Sequence, residues 1–315
     1  MEEKSICISE VYPVKPITII VPTTAGGSPD LAVRIMEKAA IKHLEQPLIV
    51  TNIPGKGATV GWNKLAGAKP DGYTIGAVAT GIILQPLYGP VEYYYPTMLE
   101  PLAQVGSLPV VAAVLAEQPW RNINELVNFA KEHPGEIKYG HMGLGTPRHV
   151  VGELFAKEAG INITQVPFNG GPEALKALVD GHIQLVFTDH SQVKHLVVNG
   201  KIKVLSAATE QRLADPLFKA VPTFKEQGLA VVFSLWLGVG APKGLSKDVK
   251  EKLVKGIKLI IHDEAVKKEL EDFGITIEYL GPQEFGEKWN SETEHLTKVV
   301  KETGIAELIA AKKTN

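Results

Sequence analysis

The stretch Ile17-Thr18-Ile19-Ile20-Val21-Pro22-Thr23-Thr24-Ala25-Gly26-Gly27-Ser28-Pro29-Asp30 runs from a strand through a turn into a helix start. Its first five residues are apolar or β-branched without alternation, which marks a strand covered on both faces rather than one. Gly26 and Gly27 break the run, and Leu31, Ile35, Ala39 and Ala40 then recur at helical spacing. Pro29 suits a helix start, because its φ is already helical and the N–H it lacks would have had no partner.

Outward from this unit the same alternation continues. Leu48–Thr51, Thr74–Ala79, Val110–Leu115, Ile137–Gly140, Ile163–Val166, Ile183–Thr188, Ile202–Ala207, Val231–Val239 and Ile275–Tyr279 read as further strands, with amphipathic segments between most of them. The order predicts an α/β protein whose parallel sheets are covered by helices. Asn122 followed by Glu125 resembles a capping box, and Ser246 precedes an amphipathic run from Lys247 to His262. Gly160, Gly181, Gly200 and Gly274 each stand where a helix would end in a left-handed residue. No internal repeat and no low-complexity linker interrupts the chain.

At 315 residues the chain is long enough for two ordinary domains. The block from Val105 to Phe233 has its own run of strands and helices, so residues 105–233 are expected to form lobe 2. Residues 1–104 and 234–315 are expected to form a discontinuous lobe 1. Apolar residues at 44% and charged residues at 22% suffice for packed cores and argue against disorder. With 33 basic and 35 acidic side chains the net charge is -2, which gives no field to hold a nucleic acid or an anionic bilayer. The single Cys7 cannot form an internal disulfide. The acidic Glu2, Glu3 and Glu10 do not fit a leader peptide, so the expectation is a cytosolic protein or one whose leader is missing from this sequence.

Three loops share one construction: Gly26-Gly27-Ser28-Pro29-Asp30, Gly143-Leu144-Gly145-Thr146-Pro147 and Asn169-Gly170-Gly171-Pro172. Each follows a strand and passes through glycine into a proline that opens a helix, with Ser28 and Thr146 expected as N-caps. Free amides and the positive end of each helix dipole would suit a carboxylate or phosphate. Parallel sheets place such loops along one edge, where ligands bind. Phosphate is the weaker choice, since neither a P-loop nor a dinucleotide fingerprint fits: Val50 stands where the first P-loop glycine belongs and Arg148 where the third dinucleotide glycine belongs. Ser28, His149 and Asp189 can be drawn as a catalytic triad, but Ser28 is better used at a helix start and no nucleophile elbow is present. His182, His190 and His195 lack the spacing of a metal site. Neither catalytic residues, nor a metal, nor a cofactor is expected.

These loops also carry a family likeness. Tyr12-Pro13 with Lys15-Pro16-Ile17, Pro22 with Ala25-Gly26-Gly27 and Asp30, Asn52-x-Pro54-Gly55-x-Gly57, and Pro70-Asp71-Gly72-Tyr73-Thr74 occur in order. Gly145-Thr146-x-x-His149, Val166-Pro167-x-x-Gly170-Gly171, Asp189, Val221-Pro222-Thr223, Gly228 and Trp236-x-Gly238 with Pro242 complete the series. In this the chain resembles the Bug family of extracytoplasmic solute receptors, the substrate-binding proteins of tripartite tricarboxylate transporters. The resemblance implies a two-lobed α/β fold of the periplasmic-binding-protein type II (flytrap) kind, hinged between the lobes, with the ligand cleft between them. It implies capture of a di- or tricarboxylate or an aromatic acid by backbone groups, transfer to integral-membrane transporter subunits, a monomer, and a periplasmic location after loss of a leader. The ligand-binding set that follows is Thr23, Thr24, Gly26, Gly27, Ser28, Asp30, Thr80, Gly145, Thr146, Arg148, His149, Gly170, Gly171 and Asp189. Arg148 is open to two readings, a partner for a second ligand carboxylate or a surface arginine. His190 stands where relatives have an amide. A sensory binding protein and a hydrolase or lyase acting on a carboxylate are the alternative functions.

Overall fold

A computed structural model describes residues 12–89, 91–233 and 235–313; Cys7 and the acidic residues around it lie outside them. The described strands are β1 (Ile17–Val21), β2 (Leu48–Asn52), β3 (Thr74–Ala79), β4 (Leu99–Ser107), β5 (Val110–Leu115), β6 (Lys138–His141), β7 (Thr164–Pro167), β8 (Leu185–Asp189), β9 (Ile202–Ala207), β10 (Trp236–Pro242) and β11 (Thr276–Leu280). They form two sheets, ordered β11-β4-β10-β3-β1-β2 and β7-β6-β8-β5-β9. The chain passes from the first sheet to the second between Ser107 and Val110 and returns between Ala207 and Trp236.

The sheets are mixed rather than parallel throughout. β1 runs parallel to β2 and β3, and β6 parallel to β7 and β8, as the strand-helix alternation predicts. β10 is antiparallel to β3 and β4, β11 to β4, and β5 to β8 and β9. The reversed strands are chiefly those on either side of the two passages between sheets, where the chain enters from the opposite edge. Strand β4 is absent from the sequence reading. Pro101, Glu100 and Gly106 disguise it, yet Gly106 is there for a steric reason: a Cβ at this position would lie 2.3 Å from the Thr276 carbonyl oxygen of β11. The strand expected over Val231–Val239 begins only at Trp236.

Helix ends follow the sequence closely. Asn122 Oδ1 accepts from the Glu125 N–H at 2.9 Å, and Ser246 caps the Lys247–Ile261 helix. Gly160, Gly181, Gly200 and Gly274 all have positive φ. One apolar core reaches into both sheets, joining Ile19, Val78 and Trp236 to Tyr139, Leu185 and Phe187, and a second lies behind β5 and β8 around Val186, Leu178 and Phe218. Trp236 is fully buried, edge-on to Phe285 at 5.0 Å, and its indole N–H donates to Glu292 at 2.6 Å.

Gly106→Ala should lower stability by about 2 kcal/mol or more, since the colliding atom is backbone and cannot rotate away. Urea unfolding measures this, and an unchanged midpoint would contradict the close β4–β11 approach.

Candidate functional site

The carboxyl ends of β1, β6 and β7 deliver the glycine loops to a single cavity of about 1090 Å³. Helices start directly behind them: Ser28–Glu37, Pro147–Ala159 and Gly171–Val179. Each begins with a proline in its first two positions, and none has a side-chain cap. The loops face one another across the two sheets. A Cβ on Gly170 would come within 2.3 Å of Thr24 Oγ1, and Gln85 Nε2 reaches the Gly145 carbonyl at 3.3 Å.

Of the expected residues, Thr23, Thr24, Gly27, Ser28, Thr146, Arg148, Gly170, Gly171 and Asp189 line the cavity. Gly26, Asp30, Thr80, Gly145 and His149 stand behind its wall. Asp30, almost wholly buried, accepts from the Gly26 N–H at 2.9 Å, from Arg34 and from Asn52 Nδ2 at 2.8 Å. Burial alone would raise the Asp30 pKa, but these donors outweigh it and hold the carboxyl below its ordinary value. Asn52 also binds the Thr23 carbonyl, so the end of β2 fixes the first loop through Asp30. Thr80 Oγ1 accepts the Trp236 N–H at 3.0 Å and joins β3 to β10.

The loop amides proposed for a ligand are already engaged. Gly27 N–H donates to the Thr24 carbonyl at 3.2 Å, Gly145 N–H to His149 Nδ1 at 3.1 Å, and Thr146 N–H to the Gly143 carbonyl at 3.3 Å. With Gly26 tied to Asp30, all four are used to shape the turns. Nor do the hydroxyls act as N-caps. Gly27 occupies the cap position of the first helix and Ser28 is its first residue, while Thr146 Oγ1 donates to the Gly143 carbonyl at 2.8 Å. What stays available is the uncapped first turn of each helix, beyond the loop itself.

Ser28 has another partner, the carboxylate of Asp189 at the end of β8. The other Asp189 oxygen is gripped by Arg148 through both Nε, at 3.0 Å, and Nη2. All three side chains are buried. Arg148 is therefore neither a surface arginine nor a spare cation; its charge is matched by Asp189. His149 points away from Ser28, with Nε2 3.5 Å from Glu153, so no serine-histidine pair forms. Its ring lies tilted against that of His141, with centroids 4.4 Å apart. His141 Nδ1 lies 2.9 Å from the Gly143 carbonyl, and its Nε2 pairs with the Gln165 amide. Burial, then the neighbouring His149, push the His141 pKa down to about 4. His190 is buried edge-on against Phe218 and off the cavity wall, and burial lowers its pKa. His182 and His195 are exposed.

Sequence reasoning missed Lys56, Trp62, Asn63, Gln85, Met142 and Phe168, which also line the cavity. Only the Asn52-x-Pro54-Gly55-x-Gly57 pattern pointed toward this side of it.

Residues 32–305 match the model of the tripartite tricarboxylate transporter family receptor. The chain belongs to this family. It is 28% identical over 303 residues to protein BugT of Bordetella pertussis, covering 94% of this chain and 91% of BugT. A solved structure described as a periplasmic transporter superposes with a TM-score of 0.88 at 30% identity, over 93% of this chain and 99% of that one. Rpa4515 of R. palustris, solved with adipate, gives a TM-score of 0.88 at 26% identity, over 93% of this chain and 98% of that one. The fold is that of the periplasmic binding proteins of this family, and the chain is a solute receptor of the tripartite tricarboxylate type. No helix among the described residues is long and apolar enough to cross a membrane.

Asp189→Asn should cost about 3–5 kcal/mol, because it leaves the Arg148 guanidinium buried without its counter-charge. Asp189→Asn with Arg148→Met should recover much of that loss; equal instability of the single and double variants in denaturant would contradict the pairing. The buried His141 gives a pH dependence of definite sign. Its folded pKa is depressed, so the unfolded chain takes up the proton near pH 6.5 and the folded protein only near pH 4. Its contribution is fully present above pH 6.5 and is lost as pH falls toward 4, by about 3 kcal/mol in all. His141→Gln should lose stability less steeply over that interval; parallel profiles would contradict the assignment.

Proposed function

We propose that this receptor captures a small organic carboxylate outside the cytoplasmic membrane and delivers it to integral-membrane transporter subunits. The observation that carries this reading is the meeting of three uncapped helix starts, from both sheets, on one cavity. Each helix start offers unsatisfied N–H groups and a positive dipole end, a favourable setting for an anion. The charged side chains of the wall balance, so the helix starts carry the preference for negative charge. Thr23, on the same wall, has a buried Oγ1 without a hydrogen-bond partner among the described residues. Adipate in Rpa4515 is a ligand of this chemical class.

The mechanism rests on two lobes, one on each sheet; the limit expected at residue 105 moves to about residue 108, because β4 stays in the first sheet as far as Ser107. Contacts from both lobes to the ligand exist only when they are together, so ligand shifts the population toward the closed form that the membrane subunits read. The Ser28–Asp189 bond would close with it. The protein acts as a monomer, without chemical turnover; His149, the nearest candidate base, is occupied with Gly145 and Glu153.

A melting-temperature screen against mono-, di- and tricarboxylates and aromatic acids, with mass spectrometry of co-purified small molecules, tests the reading. A bound acid at a hundred times its Kd should add about 2.7 kcal/mol and be recovered unchanged. Stabilisation by amines, sugars or metals but by no acid would overturn it.

A further inference from the structure

The cavity wall carries four charged side chains among the described residues: Lys56, Glu92, Arg148 and Asp189. Arg148 and Asp189 neutralise each other, and Glu92 accepts from Asn63 Nδ2 at 2.8 Å. Lys56 has neither an ion pair nor a side-chain hydrogen bond among the described residues. Among the described residues it is the one uncommitted cation on the wall.

Its backbone is unusual as well. Positive φ runs through four consecutive residues: Gly55 at 133°, Lys56 at 47°, Gly57 at 66° and Ala58 at 77°. Left-handed backbone disfavours any side chain, and Glu45 is the only other non-glycine residue found there among the described residues. Strain of this kind persists where the surroundings impose it, commonly at binding sites. Here the turn is wedged against the second sheet's loop: a Cβ on Gly57 would lie 3.2 Å from the Leu144 carbonyl and 2.8 Å from Gln85 Nε2. The turn therefore holds a lysine, at a conformational cost, on the wall where the two sets of loops meet.

We propose that Lys56 is a specificity-determining residue that reads a second anionic group on the ligand, so that the receptor prefers an acid with two carboxylates to the monoacid of equal length. This rests on the carboxylate reading above. The helix starts meet the first carboxylate without a formal charge, and the ammonium of Lys56 meets the second at the exposed side of the cavity. A partly solvated contact of this type is weakened by salt, whereas the buried one is not.

Titration calorimetry with glutarate and adipate against pentanoate and hexanoate, at low and high salt, provides the test. Lys56→Gln should weaken the better diacid about ten-fold, the worth of one charge-assisted hydrogen bond, while the monoacid changes less than about two-fold. The salt dependence of diacid binding should disappear with the charge, and Lys56→Arg should keep both the preference and its salt dependence. Lys56→Gly relieves the left-handed backbone, so it should melt no lower than the parent and still lose the discrimination, which separates recognition from folding. An unchanged diacid-to-monoacid ratio in the Gln and Gly variants, or equal weakening of both acids, overturns the role of Lys56 while leaving carboxylate capture intact. Failure of every acid to bind the parent protein overturns the proposed function and this assignment together.

Discussion

The carboxylate of Asp189 is buried where the two sheets meet, and the shape of the cavity depends on how that charge is satisfied. Arg148 holds one oxygen from the helix behind its own sheet, and Ser28 donates to the other from a chain segment on the opposite sheet. A charge removed from water is tolerated only when paired and hydrogen-bonded, so these three residues must meet if the loops are to lie together. Such a pair adds little net stability over well-packed apolar residues, but it penalises any arrangement in which a partner is absent. Its physical effect is to set the separation of the helix starts. It also removes Arg148 from the charge available to a ligand.

Around that fixed point, backbone does the shaping. Asp30 draws in the Gly26 amide, His149 draws in the Gly145 amide, and Asn52 links the first loop to β2. Asp30, Asn52 and His149 are thus turned inward to hold loops, and the first turns of the helices keep no side-chain cap. On the proposed reading, this division reconciles a wall of balanced charge with the capture of an anion, the attraction being assigned to aligned peptide dipoles rather than to a cluster of lysines and arginines.

The sequence made much of this legible because the signals were local. The run from Ile17 to Asp30, the glycine helix ends and the caps at Asn122 and Ser246 are each decided within a few residues. Parallel pairing accounts for the two loops after β6 and β7 lying at one edge of their sheet, but the meeting with the loop after β1 comes from the apposition of two separate sheets. What could not be read depends on residues far apart in the chain. Ser28 seemed an N-cap because its true partner lies 161 positions away. The amides of Gly26 and Gly145 looked available because Asp30 and His149 turn back onto them only in three dimensions. Strand β4 hid behind Pro101 and Gly106, although Gly106 marks how near β11 comes. Lys56 is only an unspecified position of the Asn52-x-Pro54-Gly55-x-Gly57 pattern in the sequence, and its meaning comes from having no partner among the described residues on a wall where the other charges have one.

The most direct measurement of the central claim is the position of a bound acid in a crystal of the complex. A carboxylate within hydrogen-bond distance of first-turn amides of the Ser28–Glu37 and Pro147–Ala159 helices, with the Ser28–Asp189–Arg148 contacts intact beside it, is the expected result. An acid held only by side chains, or seated away from those helix starts, would contradict the account.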